Sequence, residues 1–223
     1  MTKRILPFAA LLIWCTALLV VRMERSNSPS YAFLVWNLFL AAIPLGAALV
    51  LEALVEDRQS CLSPKPWTGR IACPPLQWGC LVVWLLFLPN APYIVTDLVH
   101  LRQRSGIPLW YDILLLISSA GTGLLLGYAS VTIVQRIITR RYGVVRGWLV
   151  ALSALMLSAF GVYLGRFLRF NSWDVIRDPL PVFAEIAARM MDPFGYPTTF
   201  AVTALFGVSL SLGYVALHGI VSE

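Results

Sequence analysis

The residues best suited to chemistry lie in one short run: Leu88-Pro89-Asn90-Ala91-Pro92-Tyr93-Ile94-Val95-Thr96-Asp97-Leu98-Val99-His100. Asp97 and His100 are one helical turn apart. A carboxylate at that spacing can orient an imidazole as a general base, or the pair can supply two ligands to one metal. Two ligands do not make a metal site. Cys15, Cys61, Cys73 and Cys80 form no C-x-x-C and have no clustered His partner. No metal is therefore assigned, and no cofactor is identified. The plainer alternative is a hydrogen-bonded helix end facing water. On α-helical spacing Asn90, Tyr93, Asp97, His100 and Arg104 share one face, with Ile94, Leu98 and Leu101 on the other.

Four further groups join these candidates. Arg166 and Arg169 are a turn apart at the end of an apolar stretch. A guanidinium suits a phosphate or carboxylate, and Arg166 at the membrane edge needs a counter-charge such as Asp97, Asp112 or Asp174. Asp112, in Trp110-Tyr111-Asp112, reads first as a helix cap when taken alone. Asn37 is a polar group among apolar neighbours, which predicts an interhelical hydrogen bond. Asn171 and Asp174 close the list of binding candidates.

The elements that position these residues are membrane spans. The chain has 223 residues, of which 13% are charged and 59% hydrophobic. A soluble domain carries roughly twice that charged fraction. Six stretches are apolar over the roughly 20 residues a crossing needs: 5–21, 32–51, 76–95, 113–134, 148–168 and 200–219. The first is long for a signal peptide and has no small-residue cleavage site before Arg22, so it reads as a span. The expected fold is an all-α, six-span bundle forming a single integral membrane domain. Pro89 and Pro92 each remove a helix donor and predict a break in the third span near Leu88. Such a break at membrane depth needs protein or a wet cavity around it, and in transporters it marks binding sites. Ser119, Gly123 and Gly127, and likewise Gly161 and Gly165, repeat every fourth residue, a spacing that lets helices approach closely. Asp178-Pro179 followed by Val182, Phe183, Ile186, Met190 and Met191 predicts a short amphipathic helix in the interface.

The net charge of +6 sits mostly between apolar stretches. Membrane anchoring explains it, and nucleic acid is not an expected partner. If the N-terminus is cytoplasmic, nine of the 17 lysines and arginines fall inside and eight outside. The loop 135–147 breaks the near-tie with four arginines and no acid, which favours both termini in the cytoplasm. Span parity puts the start of span two, the end of span three, the start of span four and the end of span five on one side, opposite that loop.

Four ordered motifs, Trp36-Asn37-Leu38-Phe39-Leu40-Ala41-Ala42-Ile43-Pro44, the run 88–101, Trp110-Tyr111-Asp112 and the run 165–174, resemble the bacterial membrane-protein family called domain of unknown function 1361. The resemblance covers roughly residues 31–174. Ala42 stands where the family pattern has tryptophan, which implies a smaller group there. The resemblance implies a multi-span protein of a bacterial inner membrane, and it implies no activity. Three functions stay open. One is a membrane-embedded enzyme on a lipid or other amphiphile, with Asp97 or His100 as base and Arg166 and Arg169 holding an anionic headgroup. The others are a small-solute transporter or solute-binding subunit, and a non-catalytic assembly protein. No G-x-S-x-G or H-E-x-x-H signature narrows the choice.

Overall fold

A computed structural model describes residues 2–60, 75–102 and 106–221, without the side chains of residues 2–4 and 57–60. Arg104, Cys61 and Cys73 lie outside the described residues. The described chain is helical: α1 (Thr2–Ser26), α2 (Phe33–Ser60), α3 (Pro75–Phe87), α4 (Asn90–Tyr93), a 3₁₀ segment (Ile94–His100), α5 (Leu109–Tyr142), α6 (Val144–Phe167), α7 (Asp174–Arg177), α8 (Pro179–Met191) and α9 (Pro197–Val221). Among the described residues six helical stretches are long and apolar enough to cross a bilayer, with Pro75–His100 counted as one bent span. The protein is a multi-pass membrane protein.

Helix α5 is the centre. It packs against α1, α2, α4, the 3₁₀ segment and α6, while α9 packs on α6 and α3 on α2. Its inward face shows why: Leu115, Ser119, Thr122, Leu126, Ser130 and Val134 recur every three or four residues and are all buried. Small hydroxyl groups on that face tie neighbours in. Trp84 Nε1 donates to Ser130 Oγ at 3.1 Å, and Cys15 Sγ lies 3.3 Å from Thr122 Oγ1. Such bonds hold apolar helices together where no water competes.

The third span breaks as its prolines dictate, and then departs from an α-helix. Leu88 and Pro89 form a turn, and α4 lasts one turn. Pro92 has no N–H for Leu88, so Leu88 O accepts from Ala91 N at 3.1 Å instead. Beyond Tyr93 the helix tightens to 3₁₀ geometry, with three residues per turn. This corrects the expected α-helical face. At period three Ile94, Asp97 and His100 stack, and Ile94 and Asp97 are the buried residues of the segment. Ile94 therefore faces inward with Asp97 and not away from it.

The small-residue rows receive this broken segment. A Cβ on Gly123 would lie 2.6 Å from Ala91 O, and one on Gly161 would lie 2.4 Å from Pro89 Cγ. Helices α5 and α6 thus hold the break between two grooves that only glycine leaves open. Helix α8 covers the expected amphipathic stretch, burying Val182 while Leu180, Phe183, Met190 and Met191 stay exposed. Asp178 occupies the N-cap position without a side-chain cap bond. Asp112 is likewise no cap: α5 begins three residues earlier, after Pro108.

Candidate functional site

Three spans meet at Asp97. Its side chain is 2% exposed, and a carboxylate that deep must be paired and hydrogen-bonded. Asn37 Nδ2, on the first turns of α2, donates to Asp97 Oδ2 at 2.8 Å. Arg166 Nη1, at the end of α6, lies 3.5 Å from Asp97 Oδ1. The other donors of Arg166 spread over the same segment. Nη2 donates to Thr96 O at 2.9 Å, Nη1 approaches Tyr93 Oη at 3.5 Å, and the guanidinium carbon stands 5.7 Å from the Tyr93 ring centre. The shortest of these bonds goes to a backbone carbonyl.

His100 does not touch Asp97. Its Nε2 lies 3.3 Å from Arg166 Nη2, so the guanidinium stands between the carboxylate and the imidazole. A guanidinium only donates. For this contact to be a hydrogen bond Nε2 must accept it, the tautomer with the ring proton on Nδ1. His100 is exposed, Arg166 is one-fifth exposed, and Asp97 lies behind both. The ring of Phe33 covers one side of the imidazole, with centroids 5.4 Å apart.

Asn90 serves the break. Its Nδ2 donates to Phe87 O at 3.0 Å and to Ser172 Oγ at 2.9 Å. The amide that an unbroken helix would offer to Phe87 O is that of Ala91, which bonds Leu88 O. Ser172 ties the loop after α6 to this point, and Trp173 packs on Trp36 with ring centres 6.1 Å apart. Asn171 and Asp174 bond each other, Asn171 N to Asp174 Oδ2 at 2.6 Å, and do not reach Asp97 or Arg166. Arg169 is exposed on the same loop with φ 62°.

Asp112 belongs to a neighbouring ion pair that the sequence reading did not include. Arg22, 1% exposed at the end of α1, donates Nε to Asp112 Oδ1 at 2.7 Å and Nη2 to Oδ2 at 3.3 Å. It also donates to Ser30 O at 3.1 Å and lies over the Tyr31 ring at 4.5 Å. Tyr31 Oη in turn donates to His100 O at 2.9 Å, so the two networks are joined through one tyrosine. Tyr31 holds φ 69° to do this, a conformation rare for a bulky residue. The signal for Arg22 was available, because the end of span one shares a side with the start of span four.

The arrangement can bind an anion at Arg166, hold a proton acceptor at His100 and brace the guanidinium through Asp97. Among the described residues no three His, Cys, Asp or Glu side chains group closely enough to hold a metal. No curated protein and no solved structure matches the chain. One family model does, "Protein of unknown function (DUF1361)", over residues 36–212. That match starts at Trp36, takes in the Pro-broken span and Arg166, and runs on through α8 into α9. A match of this extent shows the family: the chain belongs to the DUF1361 proteins.

Proposed function

We propose that this protein is a membrane-embedded enzyme acting on an amphiphile with an anionic headgroup, with Arg166 and His100 as its working pair. The observation that carries the proposal is the 3.3 Å contact between the part-exposed guanidinium and the exposed imidazole. At rest Arg166 occupies the Nε2 lone pair, and His100 is not available as a base. An anionic headgroup that takes donors from Arg166 draws the guanidinium off His100 and leaves that lone pair beside the bound headgroup. His100 is then the general base. Asp97 braces Arg166 from behind, Asn37 braces Asp97, and Arg169 adds a second cation at the rim. Binding energy from the headgroup is thereby spent on arming the base. The acid-free, arginine-rich stretch 135–147, which is the end of α5, Gly143 and the start of α6, faces the cytoplasm in this reading, with both termini. The site opens on the opposite face of a bacterial cell membrane.

The test is amphiphile profiling by mass spectrometry in cells expressing the protein or its His100→Gln variant to equal levels. The proposal expects at least one anionic amphiphile whose abundance changes with the protein and does not change with H100Q. Identical profiles for the two at equal membrane levels would sink it.

A second reading has its own observation. Thr96 O, Asp97, Tyr93 and Asn90 all use their contacts to fasten the broken span to its neighbours. In that reading the network is a lock, and Arg166→Gln lowers the melting temperature in detergent without altering any amphiphile.

A further inference from the structure

The opposite end of the bundle holds an apolar cavity of about 510 Å3, bounded by α1, α2, α5 and α9. Leu45, Leu49, Leu125 and Ile133 wall it, and Arg136 and His218 stand at its end. We infer that this cavity is a binding site for the acyl chain of an anionic phospholipid, whose phosphate Arg136 receives. The inference is independent of the reading of Arg166 and His100, because the two sites lie at opposite ends of α5.

Depth supports the assignment. Helix α5 has 34 residues, about 51 Å at 1.5 Å per residue, whereas the hydrocarbon layer is about 30 Å thick. Trp110 at its start is exposed, as an interfacial tryptophan is. About 20 residues on from there the hydrocarbon ends, near residue 131. The leucine walls thus lie at acyl depth and Arg136 about one turn beyond, at headgroup depth. A pocket of this size, apolar with few polar groups at one end, matches an amphiphile.

Charge supports it as well. The Arg136 side chain is 36% exposed, and among the described residues its ion-pair contact is one 3.4 Å approach of Nη1 to Glu52 Oε1. A guanidinium has five donors, so most of them remain for a phosphate. Arg140 and Arg141 at the end of α5 and Arg146 at the start of α6 are exposed nearby, but Arg136 is the cation at the cavity, and it favours a net-negative headgroup over one that carries its own ammonium. His218 packs its ring on Trp148 at 5.0 Å and offers the headgroup a second polar contact.

The test uses delipidated protein in neutral detergent, titrated with phosphatidylglycerol or phosphatidylcholine, with thermal stability as the readout. The expected result is an apparent preference for phosphatidylglycerol of about fivefold or more, the scale of one arginine near a membrane surface. Arg136→Gln brings the two lipids level, Leu125→Trp fills the cavity and weakens both, and Arg146→Gln leaves the preference in place. Inorganic phosphate alone gives no shift that Arg136→Gln removes. Equal stabilisation of the unaltered protein by both lipids overturns the inference. So does a preference that survives R136Q, an unchanged response in L125W, or a phosphate shift that equals that of the lipid and is lost in R136Q.

Discussion

Replacing Gly123 by alanine tests whether the Pro-broken segment is seated as described. The added Cβ would stand 2.6 Å from Ala91 O and 3.0 Å from Ile94 Cδ1. The backbone oxygen must retreat by about 0.8 Å to reach ordinary contact at 3.4 Å. It cannot rotate away as a side-chain end can, so the segment itself must move. Overpacking of this kind costs about 1–3 kcal/mol. Gly121, two residues earlier on the same helix, is the control, because a Cβ there meets nothing within 4 Å. Both substitutions share the helix-propensity gain of about 0.5–1 kcal/mol for alanine over glycine. That gain cancels in the comparison and leaves the clash. The assay is thermal unfolding of the two purified variants in one detergent. A chain of this size shifts by about 2–4 °C per kcal/mol, so G123A should melt several degrees below G121A. If G123A melts at or above G121A, the close approach of α5 to the break is wrong.

Three further outcomes follow from the same contacts. Arg22→Met strands the buried Asp112 carboxylate and should cost about 3–5 kcal/mol; the double variant R22M/D112L should recover part of that loss, measured by the same melting curves. Asn90→Ala leaves Phe87 O without its replacement donor and should cost about 1–3 kcal/mol, whereas Ser172→Ala, which keeps the Asn90–Phe87 bond, should cost less. Arg166→Gln removes the 2.9 Å bond to Thr96 O, and hydrogen exchange of the 94–100 amides should rise in that variant while α5 amides below Ser119 stay protected.

The fold was legible because lipid imposes a coarse requirement that composition meets directly. Six runs of the right length appear in the chain, and span parity then decides which helix ends are neighbours. The break was legible for the same reason, since Pro89 and Pro92 subtract donors whatever surrounds them. The site was less legible, and particular residues show why. The order Asp97, Arg166, His100 depends on a 3₁₀ turn, and periodicity reasoning assumes 3.6 residues per turn. Asn171 and Asp174 satisfy each other within three residues, a local turn that no span argument reveals. Arg22 was legible in principle: a charge ending an apolar run on the side of Asp112 needs a partner, and parity supplies one. Arg189 was not legible. It is 5% exposed on α8 and pairs with Glu185 one turn away, and it lies against the rings of Tyr163 on α6 and Tyr196 just before α9, contacts between distant parts of the chain that no local pattern reveals.

The placement of one guanidinium between Asp97 and His100 decides how binding and stability are linked. Arg166 makes one short bond, to Thr96 O, and three long contacts at 3.3–3.5 Å, to Asp97, Tyr93 and His100. The short bond fastens the 3₁₀ segment; the long ones hold the side chain in place but give up little when exchanged. An anion arriving from water can therefore replace the His100 contact while the Thr96 bond stays. Its charge then strengthens a site whose own carboxylate is nearly inaccessible. The lock and the binding site need not be separate devices. A ligand that keeps the Thr96 bond stabilises the fold by its own binding free energy, and one that breaks it releases the broken span from α6. Melting temperature against the concentration of a soluble anion separates these cases by sign, and the Arg166→Gln protein, which has neither the bond nor the cation, should lose the response that arises at this site.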